Sequence, residues 1–402
     1  MNNFIEQRCK TFCYILLLFF LSQASAEELT LSNWQWHGFF SQGIVDVNGS
    51  DFVNDDGSIS SELTEIGINT SLQLLPNLRF ATQAVYLNGG NRYTKGARID
   101  YLLLDWTLWN KNNWQTNLYV GRFKNIHWLY SSVRDIPFAR PGIILPQSVY
   151  FDGFRDIAVG GDGAALKLSY SDDVYGDFDI NYSYGTSPLS KEQGQIILSK
   201  LATGNVKQDF DSQASFYWKP IFSPWRFGLS LLDSDFSYRN AEQDFFVDGN
   251  FSFQFYTLNA LYEGEQWEFS GEIYQERFVT KGFYHPFFLQ DHLGQGAYLQ
   301  TRYQFNEDLT LLARYEKFYS NKNDKKGKQL EIDTAGKVPS YFAFQNDFVF
   351  SLSYDFTNNF KLRLEQHWVN GGARLTPVVQ PNPINNNQPY WQITALQLMM
   401  WF

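Results

Sequence analysis

Cysteine is almost absent: the only two, Cys9 and Cys13, lie near the N-terminus. They fall in a stretch that reads as an export signal. Arg8 and Lys10 form a basic start, Tyr14 to Leu21 (YILLLFFL) an apolar run of eight, and Ala24-Ser25-Ala26 a small-residue cleavage pattern. Residues 1–26 are therefore expected to be removed, leaving a single domain over 27–402 that begins at Glu27. Eight apolar residues are too few to cross about 30 Å of hydrocarbon as a helix. Once the signal leaves, no cysteine remains, which excludes disulfides, thiol catalysis and cysteine-ligated metals. Long hydrophobic runs are also missing. No later stretch approaches the roughly 18 consecutive apolar residues a membrane-spanning helix needs, so transmembrane helices are excluded. Positive charge is scarce as well. Taking Arg8, Lys10 and Glu6 away from 32 basic and 42 acidic residues leaves 30 against 41, a net charge of −11. That balance argues against a nucleic-acid partner, whose phosphates need a basic face.

What is present in quantity is aromatic side chain, 18% of residues, in stretches of about ten with alternating hydrophobicity bounded by turn signals. Sixteen such stretches are expected as strands, from Asn33–Val47 to Tyr390–Phe402. They include Ala97–Trp109, Trp114–Phe123, Ser212–Lys219 and Gly294–Phe305. Connections after even-numbered strands are short, for example Pro76-Asn77, NKNN at Asn110 to Asn113 and TNN at Thr357 to Asn359. Those after odd-numbered strands are longer and hold most of the charge and glycine. Strict short-long alternation predicts an all-β fold, a 16-stranded antiparallel transmembrane β-barrel of the up-and-down type. In YWQITALQLMMWF the last strand places Leu396, Leu398, Met400 and Phe402 on one face and Ile393, Ala395 and Gln397 on the other. Pairing it with the first strand leaves no edge unprotected.

Facing follows from cost. In FKLRLEQHW, Phe360, Leu362 and Leu364 alternate with Lys361, Arg363, Glu365 and His367. A Lys or Arg facing lipid at mid-depth costs about 2–4 kcal/mol, so the charged face points inward and a wet lumen is expected. By the same alternation Glu268, Glu272 and Glu276, and then Arg314 and Glu316, face inward. Trp34, Trp36, Trp109, Trp114, Trp218, Trp225, Trp368, Trp391 and Trp401 gather near strand ends, as interfacial girdles do. In ARIDYLLLDWTLW and WQTNLYVGRF apolar residues occupy both parities, so the pattern leaves the facing of Asp105 and Arg122 open. A bulge, or a packed interior beside a folded-in loop, would produce this.

Barrels of 16 strands leave an aqueous channel where small barrels fill with side chains. The third long connection, Lys124 to Asp162, is the longest at 39 residues. Pro137, Pro141 and Pro146 stiffen it, and Phe138, Ile143, Ile144, Leu145, Tyr150 and Phe151 give it apolar surface that needs a wall. With its signal, sixteen strands, long third loop and terminal Phe402, the chain resembles the porin superfamily of Gram-negative outer membranes. The acidic Pro-Glu-Phe-Gly-Gly segment of the general trimeric porins is absent. GRFK at Gly121 to Lys124 and the following RDIPFARPGIILPQSVYFD look more like proteins related to the phosphate-selective group, without that group's lysine cluster.

The resemblance implies a third loop folded inward to narrow the pore. It implies a constriction of Arg134, Asp135, Arg140, Asp152, Arg155 and Asp156 facing a wall of Arg79, Glu268, Glu272, Arg302, Arg314, Glu316, Lys361, Arg363 and Glu365. It further implies an outer-membrane location with periplasmic termini, a homotrimer, and passive diffusion of small hydrophilic solutes and ions, with no cofactor and no enzymatic activity. Mixed charge signs predict modest ion selectivity. A channel selective for an anion or organic acid is the alternative within transport. Outside it stands an outer-membrane hydrolase using Asp291-His292, a dipeptide resembling the Asp–His pair of omptin-type proteases. DVNGSDFVNDDGS at Asp46 to Ser58 lacks the glycine and glutamate an EF-hand needs, so no metal is expected. Besides outer-membrane lipid in general, lipopolysaccharide is an expected partner of the basic NKNDKKGKQ at Asn321 to Gln329, through Lys325, Lys326 and Lys328.

Overall fold

A computed structural model describes residues 33–54, 58–155, 160–375 and 386–402. The signal segment and Asp156 lie outside the described residues. The chain divides into Met1–Gln35 and Trp36–Phe402, and the second unit holds the barrel. Sixteen strands follow one another: β1 (Trp34–Asn48), β2 (Thr64–Leu75), β3 (Leu78–Asn88), β4 (Gly96–Lys111), β5 (Trp114–Lys124), β6 (Gly160–Asp172), β7 (Gly176–Thr186) and β8 (Asn205–Lys219). Then come β9 (Trp225–Arg239), β10 (Gly249–Glu263), β11 (Trp267–Gly282), β12 (Leu289–Gln304), β13 (Leu309–Tyr319), β14 (Phe344–Thr357), β15 (Phe360–Gly371) and β16 (Tyr390–Trp401). Each pairs with its neighbour in sequence, and β16 returns to β1 in a closed barrel. The closing register sets Phe40 against Met400 and Ile44 against Leu396. The greasy last strand therefore has a partner on both sides.

Tight turns lie at one end and long loops at the other, as the alternation predicts. Asn112 and Asn113 carry φ of 52° and 68°, the left-handed pair that a two-residue hairpin needs to match strand twist. Facing also follows the pattern: Arg363, Glu365 and His367 are buried while Leu364 and Trp368 are exposed.

The ambiguous pair of strands is resolved by bulges. Register across β3 and β4 runs from Gln83↔Tyr101 to Ala84↔Ile99, leaving Asp100 as the extra residue, and a second irregularity falls between Thr107 and Trp109. Asp105 consequently faces inward beside Arg79 and Asn117, at 2.9 and 2.8 Å. Arg122 shares the outer face with its partner Leu102 and pairs there with Asp162 at 2.7 Å. Strand β8 begins at Asn205 rather than Ser212, because a bulge between Gln208 and Phe210 reverses parity within NVKQDFD and hides the period. Strand β12 likewise begins at Leu289.

Two expectations change. Trp391 and Trp401 are not in a girdle: Trp391 is buried on the inner face against Phe52, ring centroids 5.4 Å apart, and Trp401 stacks inward on Phe138 of the third long loop at 4.5 Å. The inner surface is also not uniformly polar. Phe251, Phe253 and Phe255 of β10, Tyr274 of β11 and Tyr298 of β12 are buried with Trp128, Leu129, Tyr130 and Tyr150 of the third long loop in one apolar cluster. Alternation places aromatics inward where the loop supplies them a dry partner.

Candidate functional site

The third long loop is tied to the barrel's inner face by wall carboxylates that accept from its backbone. Glu365 of β15 takes the N–H groups of both Ile143 and Ile144 at 2.8 Å. Glu316 of β13 takes that of Ser148 at 2.7 Å, and Arg314 donates to the Ile144 carbonyl at 3.1 Å. Glu272 of β11 accepts from the Leu129 N–H at 3.1 Å and from the hydroxyls of Tyr150 and Tyr298 at 2.5 and 2.9 Å. Further along the wall, Trp128 donates its indole N–H to Thr257 at 3.0 Å, and the Tyr130 hydroxyl meets Ser270 at 2.9 Å. Strand alternation makes this possible: residues two apart on β11, β13 and β15 present polar ends to one surface. The loop's own proline-rich run cannot supply internal ladder bonds, so its N–H groups need outside acceptors. Close approach is also built in. A Cβ on Gly296 of β12 would stand 2.2 Å from the Ser148 carbonyl oxygen, so only glycine admits the loop there.

A second cluster is ionic. Arg140 makes a two-pronged pair with Glu65 of β2, at 3.0 and 2.5 Å, and Gln397 of β16 adds a third bond to the same carboxylate at 3.1 Å. Arg155 bonds Asp135 and stands 3.7 Å from Glu65, its guanidinium lying over the Tyr93 ring at 4.3 Å. Asp152 is shared by Arg134 at 3.2 Å and Arg92 at 2.7 Å. Burial alone would push the Asp135 carboxyl up, but Arg155, Lys124 and Arg98 outweigh it and hold it well below the usual carboxylate range. Burial opposes Asp152 too, and Arg92 with Arg134 brings it down.

The structure thus brings five of the predicted constriction residues, Arg134, Asp135, Arg140, Asp152 and Arg155, into one buried network. Arg134 pairs with Asp152 and Arg155 with Asp135 within the loop; Arg140 and Arg155 reach the wall at Glu65, and Asp135 reaches it at Lys124 and Arg98. The predicted wall residues divide. Glu272, Arg314, Glu316 and Glu365 hold the loop, whereas Arg363 bonds Ser353 at 2.9 Å. The other four, Arg79, Glu268, Arg302 and Lys361, sit in wall pairs nearer the tight turns and remain partly exposed: Arg79–Asp105 at 2.9 Å, Arg302–Glu268 at 2.7 Å and Lys361–Asp355 at 3.3 Å. At the long-loop end, Arg98, Asp100, Lys124 and Asp135 help line a cavity of about 380 Å³.

Sequence reading missed Glu65, Arg92, Asp347 and Arg374. His367 donates or accepts between Asp347 at 2.7 Å and Glu365 at 3.0 Å, orienting the carboxylate that holds Ile143 and Ile144. Arg374 lies over Phe318 at 3.4 Å and reaches the Ser148 carbonyl at 3.4 Å. Glu65 was findable, since TEIGINT alternates and puts its one charge on the inner face. Asp291 and His292 do not form a dyad. Asp291 pairs outward with Arg277 at 2.6 Å, while His292 points to the other face, 5.4 Å from the Phe278 ring. Among the described residues no cluster of His, Cys, Asp and Glu could hold a metal ion.

His127, in the loop, is buried against Trp128, and neither of its ring nitrogens has a hydrogen-bond partner among the described residues. Burial, aided by Arg134, pushes its pKa from 6.5 down to about 3. A freed loop would protonate this ring below about pH 6.5 and the docked loop would not, so stability is present above that value and is lost as pH falls towards 3. At pH 4 the loss is about 3 kcal/mol. Urea unfolding in micelles at pH 7 and pH 4 should show a smaller acid loss for His127→Phe than for the unaltered protein; identical losses would contradict the assignment.

No family model matches the chain, and no curated protein matches it. Solved structures do. The outer-membrane channel DcaP of Acinetobacter baumannii is similar with a TM-score of 0.57 at 10% identity, covering 92% of this chain and 97% of that one. The anion-selective porin from Comamonas acidovorans gives 0.54 at 11%, covering 92% and 99%. The trimer form of Vibrio cholerae OmpT, an outer membrane protein, gives 0.53 at 10%, covering 92% and 99%. With its closed ring of sixteen antiparallel strands, the chain has the fold of the outer-membrane porins.

Proposed function

We propose that the protein is an outer-membrane channel, without catalytic activity, through which small hydrophilic solutes and ions diffuse past a third loop fixed inside the barrel. The observation that carries this is the row of wall carboxylates, Glu272, Glu316 and Glu365, each accepting from the loop's backbone. A loop that merely covered the mouth would not need acceptors from three strands. Held there, it fills the side lined by the aromatic cluster and leaves the passage to the charged strip. Arg98 and Lys124 stand at one end of that strip, and Arg79, Arg302 and Lys361 at the other. Each of these cations has an acidic neighbour. Alternating signs align a polar solute without excluding either ion. This favours weak selectivity over a dedicated anion path. The tight turns and both barrel ends of the chain face the periplasm, the long loops the exterior, and three copies associate, as in the trimeric structure it resembles.

Liposomes containing the refolded protein should swell in small sugars and progressively less in larger ones. Uptake independent of solute size, or none with a demonstrably folded barrel, would count against this reading.

A further inference from the structure

On the outer face of β13 and the loop that follows it, cations gather where a membrane barrel should have few. Arg314, Glu316 and Phe318 are buried, so Tyr315, Lys317 and Tyr319 share the outward parity, and Tyr315 is 48% exposed. The Lys317 ammonium lies 5.9 Å from the centroids of both tyrosine rings, one on each side. Lys325, from the loop, lies over the opposite end of the same pair, 5.1 Å from the Tyr319 ring. Lys322 is pinned nearby by its backbone N–H to the Leu293 carbonyl at 2.7 Å, and it is exposed with Lys325, Lys326 and Lys328. None of Lys317, Lys322 and Lys325 has a carboxylate within ion-pair distance among the described residues. Two of this loop's three acids are engaged elsewhere, Asp324 accepting from the Leu330 N–H at 2.9 Å and Asp333 from Gln329 at 2.7 Å, and the third, Glu331, is exposed and outside ion-pair distance of the three lysines. The neighbouring outward cation, Arg277, is neutralised by Asp291.

Height fixes what these lysines meet. Lys317 is eight positions above the start of β13 at Leu309, and a strand tilted about 40° climbs roughly 2.5 Å per residue, so its Cα stands about 20 Å above the tight-turn end. Below it the outer face is apolar, with Ile273, Leu299 and Tyr315 exposed. Lysines at the top of an apolar band, on the long-loop side, stand at headgroup level. An aromatic ring holds an ammonium in place there without neutralising it.

We infer that Lys317, Lys325 and Lys322, framed by Tyr315 and Tyr319, bind the phosphate of a phosphorylated lipid in the outer leaflet. The inference rests on the proposed orientation, with the long loops outside. Attraction of this kind adds up over each lysine near a charged membrane surface, so three give a site rather than a passing contact.

The test is native mass spectrometry of the refolded protein with lipid A, either carrying its phosphates or enzymatically stripped of them. The protein should retain the phosphorylated lipid. Lys317→Gln with Lys325→Gln should weaken retention at least tenfold, and removing the phosphates should do the same. Lys207→Gln, an exposed cation on β8 with Asp209 beside it, should change nothing. Equal retention by the double variant, equal retention of the stripped lipid, or an equal loss in Lys207→Gln would each overturn the site. Conductance and heat-dependent gel mobility, recorded on the same samples, separate this from the channel reading: a folded, conducting barrel indifferent to phosphate refutes only the lipid site.

Discussion

Glu365→Ala should raise single-channel conductance several-fold and make the current noisy. Removing this carboxylate leaves the N–H groups of Ile143 and Ile144 without their acceptor, and it takes one of the two partners of His367. Each buried donor left unsatisfied costs about 1–3 kcal/mol, so the docked loop loses roughly 2–6 kcal/mol against a state in which it swings into water. Two kcal/mol already shifts that equilibrium by a factor of about 30. Glu365→Gln keeps one acceptor oxygen and should fall between the two. Bilayer recordings of the three proteins decide the matter; conductance unchanged in Glu365→Ala would mean that this carboxylate does not hold the loop in place.

Arg140→Ala is expected to damage stability rather than conductance alone. Glu65 is fully buried, and Arg140 supplies two of its bonds. Removing one partner of a buried ion pair strands the other, which costs about 3–5 kcal/mol, whereas replacing both by apolar residues of similar size is often close to neutral. The double substitution Glu65→Met with Arg140→Met should therefore recover most of the urea resistance that Arg140→Ala loses. Arg155, 3.7 Å from Glu65, keeps Asp135 as its partner in that double variant. If the single and double variants lose equal stability, the pair is not the unit that matters.

Both effects concern contacts that period-two reading sees only by half. The wall side was legible: FKLRLEQHW sorts Glu365 inward because any other facing would place Lys361 and Arg363 in lipid. The loop side was not, because a backbone N–H leaves no mark in a sequence, and Ile143 meets a residue 222 positions away. The ionic network shows the same limit. Its arginines and aspartates were visible as a group, but pairing among themselves depends on how the loop folds, and only the inward facing of Glu65 could have been read in advance.

The aromatic inner face of β10 failed for a different reason. NFSFQFYTLNALY is apolar on both parities, one side meeting lipid and the other the loop, so cost of burial alone does not assign a polar interior there. Bulges account for the remaining misreadings. Asp100 in β4 and the step between Gln208 and Phe210 in β8 each insert one residue, and one residue reverses every facing beyond it.

The central claim, that this barrel is an open channel narrowed by a docked loop, is tested most directly by single-channel recording of the unaltered protein in a planar bilayer under a salt gradient. Resolved, stable steps with a small reversal potential are predicted, since each partly exposed cation along the passage has an acidic neighbour. A folded barrel that stays silent would contradict the account, as would one whose reversal potential approaches the value for a single ion.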